Sequence, residues 1–344
     1  MSPLPPTRRD RLRQAAAQVG LIAVATCGGM AGAAAGLPAG WMIGAMLVTA
    51  LLSAFGSVPV LAPPLRDLAM LLAGMSMGSA VTPETLDAFA TYPASLAILM
   101  VAVVAILAAG TGALVWVSGW SARDAFFASA PGGLSTVLMI AAEIKADVAR
   151  IAIVQLFRLF ILVAVLPVAL SLLDHADPGG PGFGPPLGAG GLAVLFAASL
   201  AVSVLFERWG IAGAFILGAM AASAALTGPG LVRGGVPAAL ATVGFVLIGI
   251  FIGQRFRGLD GMAVLRTLPA AIVCLVASLA VAWGFAALVT AIVGQPLGDT
   301  VVAFAPGAIE AMTVLAFSLG LDPVYVVLHH LARFVLVAIL VPLA

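Results

Sequence analysis

Two short stretches near the end of the chain set polar chemistry inside apolar sequence: "APGAIEAM" at 305–312 and "HHLARF" at 329–334. Proline and glycine interrupt a helix. A half-helix restarting beyond Pro306, Gly307 and Ala308 offers backbone N–H groups that no carbonyl of its own can take. Such an N-terminus, with its dipole, suits an anion. Glu310 falls in the first turn of that half-helix, as a cap, as the ion-pair partner of an arginine, or as a carboxylate that couples a proton or cation. Arg333 follows Asp322 by eleven residues, which is roughly 16 Å into a helix and near mid-bilayer depth. An arginine there costs at least about 2.5 kcal/mol to insert, so it must face the interior, where it either binds a ligand or satisfies hairpin carbonyls or Glu310. His330 shares its helical face. His329 and His330 titrate near neutral pH when solvated, or serve as satisfied core histidines when buried.

The same constellation stands earlier in the chain. "APGGLSTVLM" (130–139) supplies Pro131, Gly132, Gly133 and Ser135, and "VQLFRLF" (154–160) supplies Gln155 and Arg158. Residues 130–167 and 305–342 align at an offset of 175 with eight identities in thirty-eight positions, among them Asp147/Asp322 and Arg158/Arg333. "GMSMG" (74–78) returns as "GIFIG" (249–253), and "GLPAGWMIGAM" (36–46) returns as "GIAGAFILGAM" (210–220). The chain is a duplication.

These residues need a scaffold that tolerates them. Of 344 residues, 63 % are hydrophobic and 8 % charged, with a mean hydropathy of +1.21. Continuous apolar runs of about twenty residues predict membrane-spanning helices, the structure that satisfies its own backbone in lipid. Helices are expected near 15–35, 39–56, 64–81, 92–118 and 147–172, and again near 190–207, 211–228, 237–254, 265–293 and 323–343. Segments 121–145 and 298–320 carry Pro-Gly at their centres, between apolar pieces too short to span alone. Read as hairpins, they leave each repeat with five crossings and invert the second. Twelve of the fifteen Lys and Arg then lie on the cytoplasmic side, with Arg233 outside and Arg158 and Arg333 in the membrane. Read as broken crossings, they give seven inside and six outside. The positive-inside rule favours hairpins. The expected fold is therefore all-α, with two inverted repeats, each of five transmembrane helices plus one re-entrant Pro-Gly hairpin, ten crossings in total. The boundaries are a cytoplasmic leader (1–14), repeat 1 (15–173), a Pro/Gly-rich periplasmic linker (174–189) and repeat 2 (190–344), with both termini cytoplasmic. Inverted repeats with interrupted helices are how secondary transporters build a midplane site.

The remaining residues point to packing. Cys27 and Cys274 fall in apolar runs, as small buried hydrophobes do. Runs such as "GGMAGAAAG" let helices approach closely. Trp41, Trp116, Trp120 and Trp209 sit near helix ends, as interface anchors do.

The W/F-x-x-GAM and APG…D…R patterns, most tellingly "APGGL" with "LFRLF" and "APGAIEAM" with "HHLARF", resemble the AbrB-type integral membrane protein family. That family is also labelled AbrB duplication, ammonia monooxygenase and regulator. The resemblance runs from about residue 15 to the end, and the second tip departs from it in having Ala308 for glycine. It implies an inner-membrane protein with two copies of one module and a link to regulation of gene expression. A monooxygenase would need a metal or flavin centre, for which three histidines without an acidic cluster are a poor ligand set. A DNA-binding regulator would need a basic soluble domain, whereas the net charge is +1. The expectation is thus a non-enzymatic secondary transporter without cofactor or metal, its partners the bilayer and a small organic anion rather than nucleic acid, with oligomeric state open. Pro131, Gly132, Gly133, Ser135, Gln155, Arg158, Pro306, Gly307, Ala308 and Arg333 would bind the anion. Glu310, His329 and His330 would couple a proton or cation. The alternative is a membrane-embedded protein that affects gene expression indirectly.

Overall fold

The computed structural model describes residues 8–56, 58–80, 92–132, 134–173 and 185–341. Gly133, most of the linker and the first residues of the leader lie outside that set, as do the side chain of Ser135 and that of Thr136. The described residues are helical, apart from turns and one isolated bridge between Pro186 and Gly235.

Among the described residues each half contributes seven α-helices. The first half has α1 (Arg8–Ala34), α2 (Gly40–Phe55), α3 (Pro63–Gly78), α4 (Tyr92–Trp116), α5 (Ala122–Ser129), α6 (Leu134–Glu143) and α7 (Val148–Leu172). The second has α8 (Ala189–Arg208), α9 (Ala214–Thr227), α10 (Ala238–Gly253), α11 (Gly261–Val293), α12 (Leu297–Phe304), α13 (Ile309–Ser318) and α14 (Pro323–Leu340). All ten long helices expected from sequence form, within a few residues, and α1 begins well before residue 15. Seven are long and apolar enough to cross a membrane by length and composition. Helices α2, α3 and α9 are the exceptions, at 16, 16 and 14 residues.

Helix starts follow from local chemistry. Asp147 and Asp322 accept backbone N–H bonds at the heads of α7 and α14, and Asp260 does so for α11. These carboxylates satisfy donors that a first turn leaves orphaned. Proline at the start of α3 and α14 suits the same positions.

The packing exchanges on itself between halves. Helix α1 lies on α2 as α8 lies on α9; α2 packs on α10 as α9 packs on α3; α4 faces α11. Glycines set these distances. A Cβ at Gly74 would come within 2.3 Å of the Ile216 carbonyl oxygen, and one at Gly249 within 2.5 Å of that of Met42. Gly78 and Gly253 meet Met220 and Met46 in the same way, at 2.3 and 2.6 Å. The repeated Gly-x-x-x-Gly of each half is thus a seat for the Gly-Ala-Met helix of the other. Helices α1 and α8 are the most exposed long helices, whereas α7 is the most buried.

Two side-chain expectations change. Cys27 is exposed on α1, and only Cys274 is buried. Trp120 is buried and carries the Arg150 guanidinium 4.1 Å above its ring, so it is a packing partner and not an interface anchor.

Gly74→Ala and Gly249→Ala should each destabilise the detergent-solubilised protein by about 1–3 kcal/mol, because carbonyl backbone cannot yield. Gly284→Ala is the control: an added Cβ there meets nothing within 4 Å. Helix propensity predicts about 0.5–1 kcal/mol of stabilisation for it. Thermal unfolding reads all three.

Candidate functional site

The short helices come in pairs, α5 with α6 and α12 with α13, each pair joined by a Pro-Gly tip. The ends of each pair meet. The backbone N–H of Asp147 donates to Asp124 Oδ1 at 3.2 Å, and that of Asp322 donates to Asp299 Oδ1 at 2.8 Å. Asp124 and Asp299 sit in the first turns of α5 and α12.

The tips are held by the helix that follows. Arg158 donates through Nη1 to Ser129 O at 3.0 Å and through Nη2 to Ala130 O at 2.9 Å. Gln155 Nε2 donates to Phe127 O at 2.7 Å. In the second half Arg333 donates through Nη1 to Ala305 O at 2.5 Å and through Nη2 to Gly307 O at 2.6 Å. His330 takes the role of Gln155, with Nε2 3.1 Å from Val302 O. These oxygens belong to the last turns of α5 and α12 and to the tips, where helix geometry provides no donor, and cationic donors suit a helix C-terminus. Charge-assisted bonds contribute about 1.5–3 kcal/mol each, so two of them offset an insertion cost of about 2.5 kcal/mol without any ligand. The depth of the arginines is therefore explained by the latch alone. A binding role rests on what the latch leaves over.

It leaves donors and space. Among the described residues nothing takes the Nε–H of Arg158 or one N–H on each of its terminal nitrogens, nor the Nε–H and one Nη1–H of Arg333. Arg333 Nε is buried with no partner among the described residues, in a residue only 1 % exposed. Both arginines line one cavity of 710 Å³, together with Gly132 from the first tip and Pro306, Gly307 and Ala308 from the second. Ile309 and Glu310 line it too, and no side chain caps the head of α13. Its other walls carry Gln155, His330 and apolar side chains including Leu138, Leu159, Phe251 and Phe334.

The two tips differ in backbone. Gly132 has φ +101°, a conformation that side chains resist. Ala308 is extended at φ −86°, so its methyl group is tolerated where the family pattern has glycine. A Cβ at Gly307 would collide with the Met312 side chain at 2.5 Å, so glycine there serves space.

Of the anion-site residues expected from sequence, the cavity collects Gly132, Gln155, Arg158, Pro306, Gly307, Ala308 and Arg333. Pro131 is buried at the tip but is not in the lining; Gly133 and the Ser135 side chain lie outside the described residues. Glu310 makes no ion pair or hydrogen bond with the described residues, and the cation within its electrostatic reach is Arg255. His330 Nδ1 receives a hydrogen bond from Arg333 Nη2, so its proton sits on Nε2, facing Val302 O. That ring is committed to the latch. His329 is buried away from the cavity, against Ser95 and the Tyr325 carbonyl.

Sequence reasoning missed Arg66 and Arg255 at the far wall of the cavity. Arg66 pairs with Asp67 at 2.6 Å, and Arg255 stacks 4.6 Å from the Phe251 ring. The cavity cations Arg66, Arg158, Arg255 and Arg333 face Glu310 and, through Arg66, Asp67, leaving two positive charges in excess. Their only sequence signal was an arginine at the end of an apolar helix, Arg66 in the first turn of α3 and Arg255 just beyond α10.

Because Gln155 and His330 make the same bond in the two halves, His330→Gln should keep the second latch, whereas His330→Ala should cost about 1–3 kcal/mol by orphaning Val302 O and one Arg333 donor. Thermal unfolding of the two variants side by side checks this.

Over 294 residues, 80 % of this chain and 76 % of the other, the sequence is 25 % identical to a Bacillus subtilis (strain 168) protein that bears the name "Uncharacterized protein YhjN". Residues 41–344 match the family profile described as "Transition state regulatory protein AbrB", a span that contains both tips, both latching arginines and the whole lining of the cavity. The chain, a helical protein with several helices able to span a membrane, belongs to the AbrB family.

Proposed function

We propose that the chain is a secondary transporter of a small organic anion, bound between two re-entrant hairpins at the bilayer midplane. The observation that carries this reading is the single cavity lined by Gly132 and Arg158 of one half and by Gly307 and Arg333 of the other. Unused guanidinium N–H groups, an uncapped helix N-terminus and two excess positive charges suit a carboxylate. The apolar walls suit an organic body.

The inverted architecture has its own support. Each short-helix pair begins and ends at the same place, as a hairpin does and a broken crossing does not. A packing pattern that maps onto itself when the halves are exchanged is what a pseudo-two-fold repeat produces. In the ten-crossing arrangement, Arg66 and Arg255 belong to the cytoplasmic ends of α3 and α10, so the cavity runs from the cytoplasmic side to the tips. Helices α2, α3 and α9 are about 21–24 Å long, shorter than the roughly 30 Å hydrocarbon core, and cross with their ends completed by backbone buried in protein. The membrane is the inner membrane, with both termini cytoplasmic. Transport needs neither a cofactor nor an enzymatic step, and Glu310 and His329 remain to couple a proton or cation.

A second reading, a membrane-embedded protein that affects gene expression indirectly, is favoured by the wording of the family description. A transported solute would connect the two.

The architecture is checked with cysteines introduced at Lys145 and Pro185 in a background lacking Cys27 and Cys274. An impermeant thiol reagent should reach them from opposite sides of the membrane; labelling of both from outside sinks the hairpins. The site is checked by thermal unfolding of purified protein against a panel of carboxylates. Binders should raise the midpoint, and Arg333→Lys, which keeps charge but loses the planar fork, should weaken them about tenfold to a hundredfold. Ala152→Phe, which fills the cavity from a residue that makes no latch bond, should abolish the shift. Carboxylates that stabilise both variants as they do the parent would refute the site.

A further inference from the structure

A second buried polar assembly stands beside the cavity, and none of its residues lines it. Asp299 of α12 accepts from the Asp322 N–H and from Gln295 Nε2, the latter at 3.2 Å. Asp322 Oδ2 in turn accepts from the Tyr92 hydroxyl of α4 at 2.6 Å. The Tyr92 ring meets the Tyr325 ring edge-on, with centroids 5.2 Å apart. The Tyr325 hydroxyl is hydrogen-bonded to Ser95 Oγ, and Ser95 Oγ lies 2.8 Å from His329 Nε2. Tyr325, Ser95 and His329 are fully buried.

The direction of these bonds follows from their end. His329 Nδ1 sits 2.8 Å from the Tyr325 carbonyl, which can only accept, so Nδ1 carries the proton and Nε2 accepts from Ser95. Ser95 therefore accepts from Tyr325. The three groups form an ordered proton wire running from the head of α14 toward the layer of Arg333.

The other half does without it. At the offset of 175, Tyr325 corresponds to Arg150 and His329 to Val154, yet Arg158 and Gln155 latch the first tip all the same. Holding a hairpin does not require the wire. The wire is therefore additional to the chemistry that the two halves share.

We propose that His329 is the proton-loading site of the transport cycle, filled from the Asp322 end of α14 through Tyr325 and Ser95. The inference rests on the transport reading above and names its coupling ion, group and route. A proton arriving at Tyr325 Oη forms a new O–H bond as the original Tyr325 proton passes to Ser95 Oγ. The original Ser95 proton passes to His329 Nε2. Both hydroxyls end neutral and one imidazolium is made. The groups that face it are Tyr92 and Ser95 from α4, Phe304 from α12, and Tyr325, His330 and Arg333 from α14, while Asp299 and Asp322 lie within electrostatic reach of Tyr325. Arg158 of α7 lies within electrostatic reach of Arg333 across the tips. The new cation stands one helical turn from Arg333. Their repulsion is relieved when an anion occupies the cavity, so proton and anion each favour the binding of the other. The result is symport.

Proteoliposomes of the full chain, with radiolabelled benzoate and succinate as probes, separate the two readings. Counterflow without a pH gradient measures the carrier itself, and its absence with both probes overturns the transport reading and the wire with it. With counterflow present, an acidic exterior should stimulate uptake by the parent protein. Tyr325→Phe and Ser95→Ala should lower that stimulated uptake about tenfold or more while leaving counterflow intact. Gradient-driven uptake that survives in both variants, or a parent protein indifferent to the gradient, overturns the assignment of His329.

Discussion

The centre of this protein depends on guanidinium groups that finish broken helices. An eight-residue helix ending inside the molecule leaves carbonyls facing nothing, and orphaned polar groups at that depth cost free energy comparable to the helix's own bonds. Arg158 and Arg333 remove that cost twice, each reaching back from the helix that follows its hairpin. Lysine would bring charge without the fork that bonds two divergent carbonyls at once. Gln155 and His330 complete the same turn from the same helical face. The tips are therefore rigid before any ligand arrives, which is the condition under which spare donors and an uncapped helix head can act as a pre-formed site.

The latch needs something to push against, and glycine supplies it. Helices α2, α3, α9 and α10 interlock so closely that four glycines stand where any Cβ would strike backbone of the opposite half. Neither half can form this seat alone, since each contributes a Gly-x-x-x-Gly helix and receives one. The interlock lies at short helices and the latch at the tips, so the cavity sits between two stiff assemblies. One of its walls, with Arg255 on Phe251, belongs to the interlock, and another, with Arg158, belongs to the latched side.

Much of this was legible in the residues. Proline and glycine inside apolar sequence marked both tips, the offset of 175 marked the duplication, and the Asp-to-Arg spacing gave the depth of Arg158 and Arg333. Spacing left the arginines a ligand, Glu310 or hairpin carbonyls as partners and could not choose among them. Their carbonyl partners lie about 28 residues earlier in sequence, and a backbone oxygen carries no sequence signal. Glu310 was legible as a first-turn acid, yet the cation in its reach is Arg255, whose helix approaches only through the glycine seats. The tautomer of His330 likewise follows from two contacts made only in the fold. Cys27 was misjudged because apolar sequence does not distinguish an outward-facing residue from a core one, and Trp120 because a place near a helix end does not reveal whether the ring is buried.

Duplication also makes the differences between halves informative. Where both halves need the same thing they use the same chemistry, as with Asp147 and Asp322 capping the helices that carry the arginines. Where they differ without loss of the shared feature, the difference is free to serve something else. The first half ends its entering side in charge, with Asp147 and Arg150 exposed and Asp124 half-buried. The corresponding end of the second half is buried against α4 of the first, where Tyr325 and His329 of α14 meet Tyr92 and Ser95. Burying hydroxyls and an imidazole is costly unless every one of them is bonded, and here they are bonded in one consistent direction. The two halves hold their tips alike, yet a chain of directed hydrogen bonds ends on a buried imidazole beside only one of them, so the two ends of the duplicated scaffold are not chemically equivalent.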